Sequence, residues 1–401
     1  MPPRSGAGTG VAEDAAAPGT GEVCSVTCST LRQGPDAVRG VEDTRGNVRC
    51  TVHGMTAPDA VRHLRVSTPV DVALTLRPLQ RGAADPTVRA TPQGVWLTRR
   101  EPAGPDAVHA GAGPATLLVS PAVRAPDGAG GWSITARAWG PGARAAVGNA
   151  EALLGLADAG WPQFDAVADP SADPPGVGPP LPAHVWRVRR LRPGLRLPAA
   201  GALATQLMTV VLEQKVTHDQ ARHGWRTLVR LAAAHDAEPA PGPAPAGMLL
   251  PPTAEAVLRI PSWDWHARAW VQPSQSRTVL EVARRAETID RLGRDVSPGD
   301  TAGLARLARR LESIPGIGPW STAEALQRSH GAADLVSVGD FHLAQFVGQV
   351  LTGRRTDDAG MLRLLAPWAG HRHRVVRLIS LSGERKQAFG PKLAPADHRR
   401  Y

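Results

Sequence analysis

No stretch of this 401-residue chain approaches the ~20 consecutive apolar residues that a membrane-spanning helix needs. The N-terminus has no apolar core behind a basic start, so a secretory leader is not expected. Cysteine is also rare: three residues, an odd number in a chain this long, point to a reducing, cytoplasmic setting rather than a disulfide scaffold. Tyrosine occurs once and phenylalanine four times, and lysine is scarce beside arginine. Ala, Arg, Gly and Pro dominate instead, the stamp of a GC-rich genome, which carries no functional weight.

What is present begins with charge. The formal net charge is +10 and the pI near 10.8, which makes a polyanion a plausible partner without proving one. Residues 371–401 hold eight Arg or Lys against two acids, so +6 of the +10 lies at one end. A solvated basic tail over 384–401 explains that density equally well.

Composition divides the chain. Residues 1–60 are rich in Gly, Ala, Thr and Pro with no sustained period, which predicts disorder. Cys24, Cys28, Cys50 and His53 fall there with ligand-type spacing, but nothing around them would build the small fold a zinc site needs. From Val66 the pattern tightens. Val70, Val72, Leu74 and Leu76 alternate with less apolar residues and predict a strand, as do 94–99, 115–119 and 131–139. A helix is expected over 143–156. Residues 66–158 thus read as a small antiparallel sheet with a covering helix, an α+β domain. Residues 161–182, heavy in Pro, Asp and Gly, read as a linker, and 239–252 as a flexible insertion. Residues 183–383 read as an all-α domain of roughly nine helices, giving an α+β chain overall.

The motif that carries chemistry is Leu311-Glu-Ser-Ile-Pro-Gly-Ile-Gly-Pro-Trp-Ser-Thr-Ala323. It joins two helix-like segments, and its Pro315, Gly316, Ile317 and Gly318 are too rich in Gly and Pro to be helical. Two glycines let main chain approach a ligand, and the next helix offers unpaired N–H groups at its start, a device for phosphate. A tight corner would have the same composition. Asp340 follows twenty residues after Trp320, within Val338-Gly-Asp-Phe-His-Leu343 and just before a helix expected at 341–352. Alone, such an Asp is usually an N-cap. With the hairpin at this spacing it becomes a candidate catalytic acid.

The hairpin and the Gly-Asp-Phe-His-Leu segment resemble the helix-hairpin-helix DNA glycosylase superfamily, and within it the DNA-3-methyladenine glycosylase II family. Leu212-Glu-Gln-Lys-Val-Thr217 matches a Gln-rich segment that borders the base pocket in relatives. The resemblance covers about 66–383 and implies several things. The N-terminal sheet domain would be a half-sized relative of the TATA-binding protein fold. Double-stranded DNA bearing alkylated bases would be the partner of a monomeric, nucleoid-associated bacterial enzyme. Pro315, Gly316, Ile317, Gly318 and Ser321 would bind DNA, Trp320 and Gln214 would border the base pocket, and Asp340 would carry the reaction. Bifunctional members place a lysine where this chain has Trp320, which cannot form a Schiff base, so the implied activity is hydrolysis without strand cleavage. Iron–sulfur members carry four cysteines after the helical core; here none follows Cys50. No cofactor is expected, apart from a cation at the hairpin carbonyls.

Two positions depart from the family pattern. Lys215 stands near where relatives insert an apolar wedge, and its stem could fill that space while its head reaches phosphate. The pocket Tyr of some relatives is missing, with Trp225, Trp263, Trp265 and Trp270 as possible substitutes. Arg372, Arg374 and Arg377 near a helix start are candidate phosphate contacts, Arg374 foremost. His342 is expected to pack locally. The alternatives are a non-catalytic helix-hairpin-helix DNA-binding protein and a glycosylase for deaminated bases such as hypoxanthine.

Overall fold

The computed structural model describes residues 57–102, 112–125, 130–171 and 180–384, with the backbone of 40–42 and 48–50. The chain divides into two compact units, Met1–Gly54 and Met55–Tyr401. In the first, β1 (Gly40–Glu42) and β2 (Val48–Cys50) pair antiparallel, so part of the segment expected to be disordered is a strand pair. Cys24, Cys28 and His53, and the tail beyond Glu384, lie outside the described residues.

The second unit opens with a six-stranded antiparallel sheet: β3 (Ala60–Val66), β4 (Val88–Thr91), β5 (Gly94–Glu101), β6 (Gly113–Val119), β7 (Val123–Arg124) and β8 (Trp132–Trp139). The order is β3-β8-β6-β5-β4, with β7 also on β8. The sheet starts six residues earlier than the pattern suggested: Ala60, Leu64 and Val66 of β3 pack on the sheet core, but Arg62 interrupts that face and hides its period.

The predicted strand over 70–76 is instead helix α1 (Val72–Leu76). Asp71 caps it, its Oδ1 accepting the Leu74 N–H at 3.0 Å, and Val72, Thr75 and Leu76 are buried at i, i+3, i+4. Alternating apolar residues satisfied both periods, and the cap decided between them. The expected helix at 143–156 is broken into α2 (Ala143–Gly148) and α3 (Ala150–Leu153), which cover the sheet.

The supposed linker contains α4 (Gly160–Ala168), which buries Trp161, Phe164 and Ala168. Each of the two aromatics contributes about 1.5–3 kcal/mol by leaving water, which outweighs the Pro- and Gly-rich flanks. The 239–252 segment is likewise packed: Met248 and Ala244 cover Trp96 and Trp139 on the sheet's outer face, and Thr98 Oγ1 donates to the Leu249 carbonyl.

Twelve helices follow in place of nine. They are α5 (Ala183–Leu191), α6 (Leu203–Val211), α7 (His218–Asp236), α8 (Ala254–Arg259), α9 (Ser262–Ala267), α10 (Pro273–Arg284), α11 (Ala286–Arg294), α12 (Thr301–Leu311), α13 (Pro319–Ser329), α14 (Leu343–Thr352), α15 (Asp358–Leu365) and α16 (Arg372–Leu381). They build two apolar cores. One gathers α6, α7, α8, α10 and the hairpin residues Ile314 and Ile317; the other gathers α4, α5, α14, α15 and α16. The site lies where they meet.

Candidate active site

The hairpin is the turn between α12 and α13. Ile314 and Ile317 are buried and anchor it, with the Ile317 N–H donating to the Ile314 carbonyl at 3.0 Å. Gly316 takes φ +87°, and a Cβ there would lie 2.0 Å from Thr278 Oγ1 of α10. Both facts demand glycine. Gly318 differs: its φ is −122°, and a Cβ would meet nothing within 4 Å. α13 then begins at Pro319 with no side-chain cap, so its first-turn N–H groups lack an intrahelical acceptor. Together with the open face at Gly318, this gives main chain able to hold an anion.

Gln214 holds the turn from behind. Its Nε2 donates to the Gly316 carbonyl at 3.0 Å and to Ser321 Oγ at 2.8 Å. Ser321 is buried, so its hydroxyl is committed to this clamp. The structure therefore places the side chains of Gln214 and Ser321 against the hairpin itself. Lys215, next along, is exposed and left-handed, with φ +54°. Gln275 imposes that shape: its Nε2 donates to the carbonyls of Val211, Leu212 and Gln214 at 3.2, 3.2 and 3.0 Å. A strained lysine at a solvent-facing turn beside the hairpin costs about 1–3 kcal/mol, and such strain collects at functional sites.

Trp320, half-buried, packs on the first core and donates from Nε1 to Asp340 Oδ2 at 3.3 Å. Asp340 Oδ1 accepts the N–H groups of His342 and Leu343 at 2.9 and 2.8 Å. The carboxylate is thus fixed by both oxygens at the start of α14, its main-chain donors capping a helix as an ordinary Asp would, its other oxygen turned to the hairpin. Phe341, 74% exposed, flanks it and stacks edge-on against His342. The sequence reading passed over Phe341; a large apolar side chain left in water beside a carboxylate is visible only once burial is known.

The expected arginine contacts are not at the site. Arg374 is 2% exposed, donates from Nη2 to Asp158 Oδ2 at 2.7 Å and lies over the Trp161 ring. Arg372 pairs with Asp334, and burial pushes the Arg377 pKa down to about 10 while its Nη2 donates to the Leu74 carbonyl. A basic cluster at a helix start reads as phosphate-facing only while its acidic partners, 38 to 216 residues away, are unknown. Trp225 and Trp265 are core residues, Trp270 stacks on His223, and Trp263 is exposed on α9. A separate cleft of 590 Å³ beside the sheet, lined by Arg81, Thr98, Glu101, Thr205, Asp290 and His330 among others, includes neither Trp320 nor Asp340.

No group of three or more His, Cys, Asp or Glu suited to a metal occurs among the described residues. In the hairpin, Ile314 and Gly316 carbonyls already accept hydrogen bonds. Each oxygen keeps a second lone pair, and a carbonyl-only donor set fits a hard cation.

No protein-family profile and no curated sequence matches the chain. Solved structures do. A 3-methyladenine DNA glycosylase from Archaeoglobus fulgidus is similar at TM-score 0.57 and 12% identity, over 80% of this chain and 98% of that one. MBOgg1 in complex with a low-affinity DNA ligand is similar at 0.53 and 10%, over 82% and 97%. The 8-oxoguanine glycosylase/lyase of Clostridium acetobutylicum, in complex with double-stranded DNA, is similar at 0.50 and 6%, over 81% and 99%. The chain therefore has the α+β fold of the helix-hairpin-helix DNA glycosylases, as its motif implied.

Proposed function

We propose that this chain, with the fold of those enzymes, is a monofunctional DNA glycosylase that removes alkylated purines such as 3-methyladenine and 7-methylguanine from duplex DNA. One observation carries the reading: Trp320 of the hairpin helix and Asp340 of the acid segment share a hydrogen bond. Main chain able to hold phosphate and a fixed carboxylate are thereby joined in one place.

Duplex DNA would lie across the open face at Gly318 and the start of α13, with Lys215 reaching a phosphate or the gap left by an extruded base. Breaking the N-glycosidic bond sends its electron pair to the departing base and leaves positive charge on the deoxyribose. Asp340 faces that charge and stabilises it. Water then adds at C1′ and gives up a proton, leaving an abasic site. An alkylated purine is already cationic, so it leaves without an acid catalyst. Trp320 and the exposed Phe341 offer aromatic faces to an electron-poor base. Trp320 also occupies the position from which a lysine would attack the sugar, so the strand stays intact.

The test is chromatography of bases released from methylated DNA by wild type and by Asp340→Asn. Wild type should release 3-methyladenine or 7-methylguanine without nicking the strand, and the variant should bind DNA but release them about 10²- to 10³-fold more slowly. Salt-dependent binding with no release by wild type would leave a DNA-binding protein without turnover, and release only from inosine-containing DNA would reassign the substrate.

A further inference from the structure

The acid segment, residues 335–340, runs alongside α13 without pairing to any strand, yet it is held at three levels. Gln327 Nε2 donates to the Leu335 carbonyl at 2.9 Å and to Ser337 Oγ at 3.3 Å. Ser337 Oγ donates in a short hydrogen bond to Glu324 Oε1. Trp320 Nε1 donates to Asp340 Oδ2 at 3.3 Å. Positions 320, 324 and 327 fall at i, i+4 and i+7, one face of the helix. The segment is therefore laid along α13 by a ladder of side chains.

The middle rung is unlike the other two. Ser337 is 3% exposed. Burial alone would raise the Glu324 pKa, but the charge of Arg328, one turn along, and the Ser337 hydrogen bond outweigh it and hold the carboxyl below its ordinary value. Arg328 Nη1 donates to Glu324 Oε2 at 2.5 Å, and its Nη2 lies 3.7 Å from Glu213 Oε2. Glu213 Oε1 in turn lies 2.8 Å from Nε of Arg81, which enters from the sheet side. Glu213 immediately precedes Gln214 and Lys215. One half-buried chain of charge, Arg81–Glu213–Arg328–Glu324, thus ends in a single hydroxyl three residues before Asp340.

We propose that Glu324 and Ser337 are positioning residues for Asp340: their hydrogen bond sets where the acid segment lies along α13, and so how Oδ2 meets the hairpin. This rests on Asp340 being the catalytic carboxylate. Neither residue touches the reacting atoms. Removing the Ser337 hydroxyl frees the middle of the segment while Gln327 and Trp320 still hold its ends, so the chain folds and the acid drifts. A displacement near 1 Å at a reacting group costs on the order of 10- to 100-fold in rate.

The experiment uses the full chain and Ser337→Ala, Ser337→Thr, Glu324→Gln and Trp320→Phe. The indole N–H resonance of Trp320, assigned by its loss in Trp320→Phe, reports the bond to Asp340 without needing turnover. In Ser337→Ala that resonance should move, single-turnover release of methylated base should fall 10-fold or more, and affinity for DNA holding an unreactive abasic analogue should stay within twofold. Ser337→Thr keeps the hydroxyl and should restore both signals. Glu324→Gln keeps an acceptor and should fall between. An unmoved resonance in Ser337→Ala overturns the proposal. If wild type releases no base, the glycosylase reading fails, while the resonance still decides whether Ser337 positions Asp340.

Discussion

In the hairpin, residues 312–318 take their shape from uncharged groups: a left-handed glycine, buried isoleucines and the Gln214 amide clamp, with no ion pair at the turn itself. In the acid segment, residues 335–340 take theirs from side chains on α13, and behind those stand charges, Glu324 half-buried with Arg328 and, in the second core, Arg374 with Asp158. The two regions meet at one indole. Each region should therefore be fragile in its own way. An added methyl group should hurt the hairpin, whereas neutralising a charge should hurt the acid side.

The largest effect is expected from the charge behind the acid segment. Arg374→Met strands the Asp158 carboxylate, 15% exposed, in the second core. It should lower stability by about 3–5 kcal/mol in denaturant titration, with no specific loss of DNA affinity in whatever fraction stays folded. A weakly destabilised variant that bound DNA poorly would return Arg374 to the interface. Asp340→Asn comes next: base release should fall about 10²- to 10³-fold while DNA affinity is kept.

The two hairpin glycines should respond differently to an added methyl group. Gly316→Ala forces a left-handed alanine against Thr278 and should cost about 1–3 kcal/mol, read as a lower melting temperature. Gly318→Ala meets nothing in the protein, so melting should be unchanged while DNA affinity drops. Equal melting losses in both would erase the distinction between a turn glycine and a contact glycine.

The smallest effect is a pH slope on the acid side. His373, packed among Arg377, Glu324, Arg328 and Arg374, has its pKa pushed down by burial to about 3. It is neutral in the folded chain and titrates near its ordinary value when unfolded. Its contribution is therefore intact above about pH 6.5 and is lost as pH falls toward 3, at up to about 1.4 kcal/mol per pH unit. His373 Nδ1 has no hydrogen-bond partner, so His373→Leu should flatten that slope in urea titrations from pH 7 to 4 at little cost at pH 7.

The hairpin was readable because its determinants are local. Pro315, Gly316 and Gly318 exclude helix from the turn, and the flanking segments have helical period, so the two helix-like segments of the motif are α12 and α13. Asp340 was readable by its spacing from Trp320. What held it in place was not, since Ser337 and Gln327 are ordinary polar residues whose roles depend on burial. The same blindness made Arg374 look like a phosphate contact: its partner Asp158 is 216 residues away. Short, partly solvated elements such as β3 and α4 were missed because tertiary burial, not local period, stabilises them.

Two genetic screens should read the hairpin differently. A reporter fused to the chain and scored for folding alone should accept many residues at Gly318 and almost none at Gly316. Selection for survival under an alkylating agent should tolerate change at neither. Subtracting one tolerance map from the other would trace the surface the chain keeps for a partner, residue by residue, with Phe341 and Lys215 expected beside Gly318 on it.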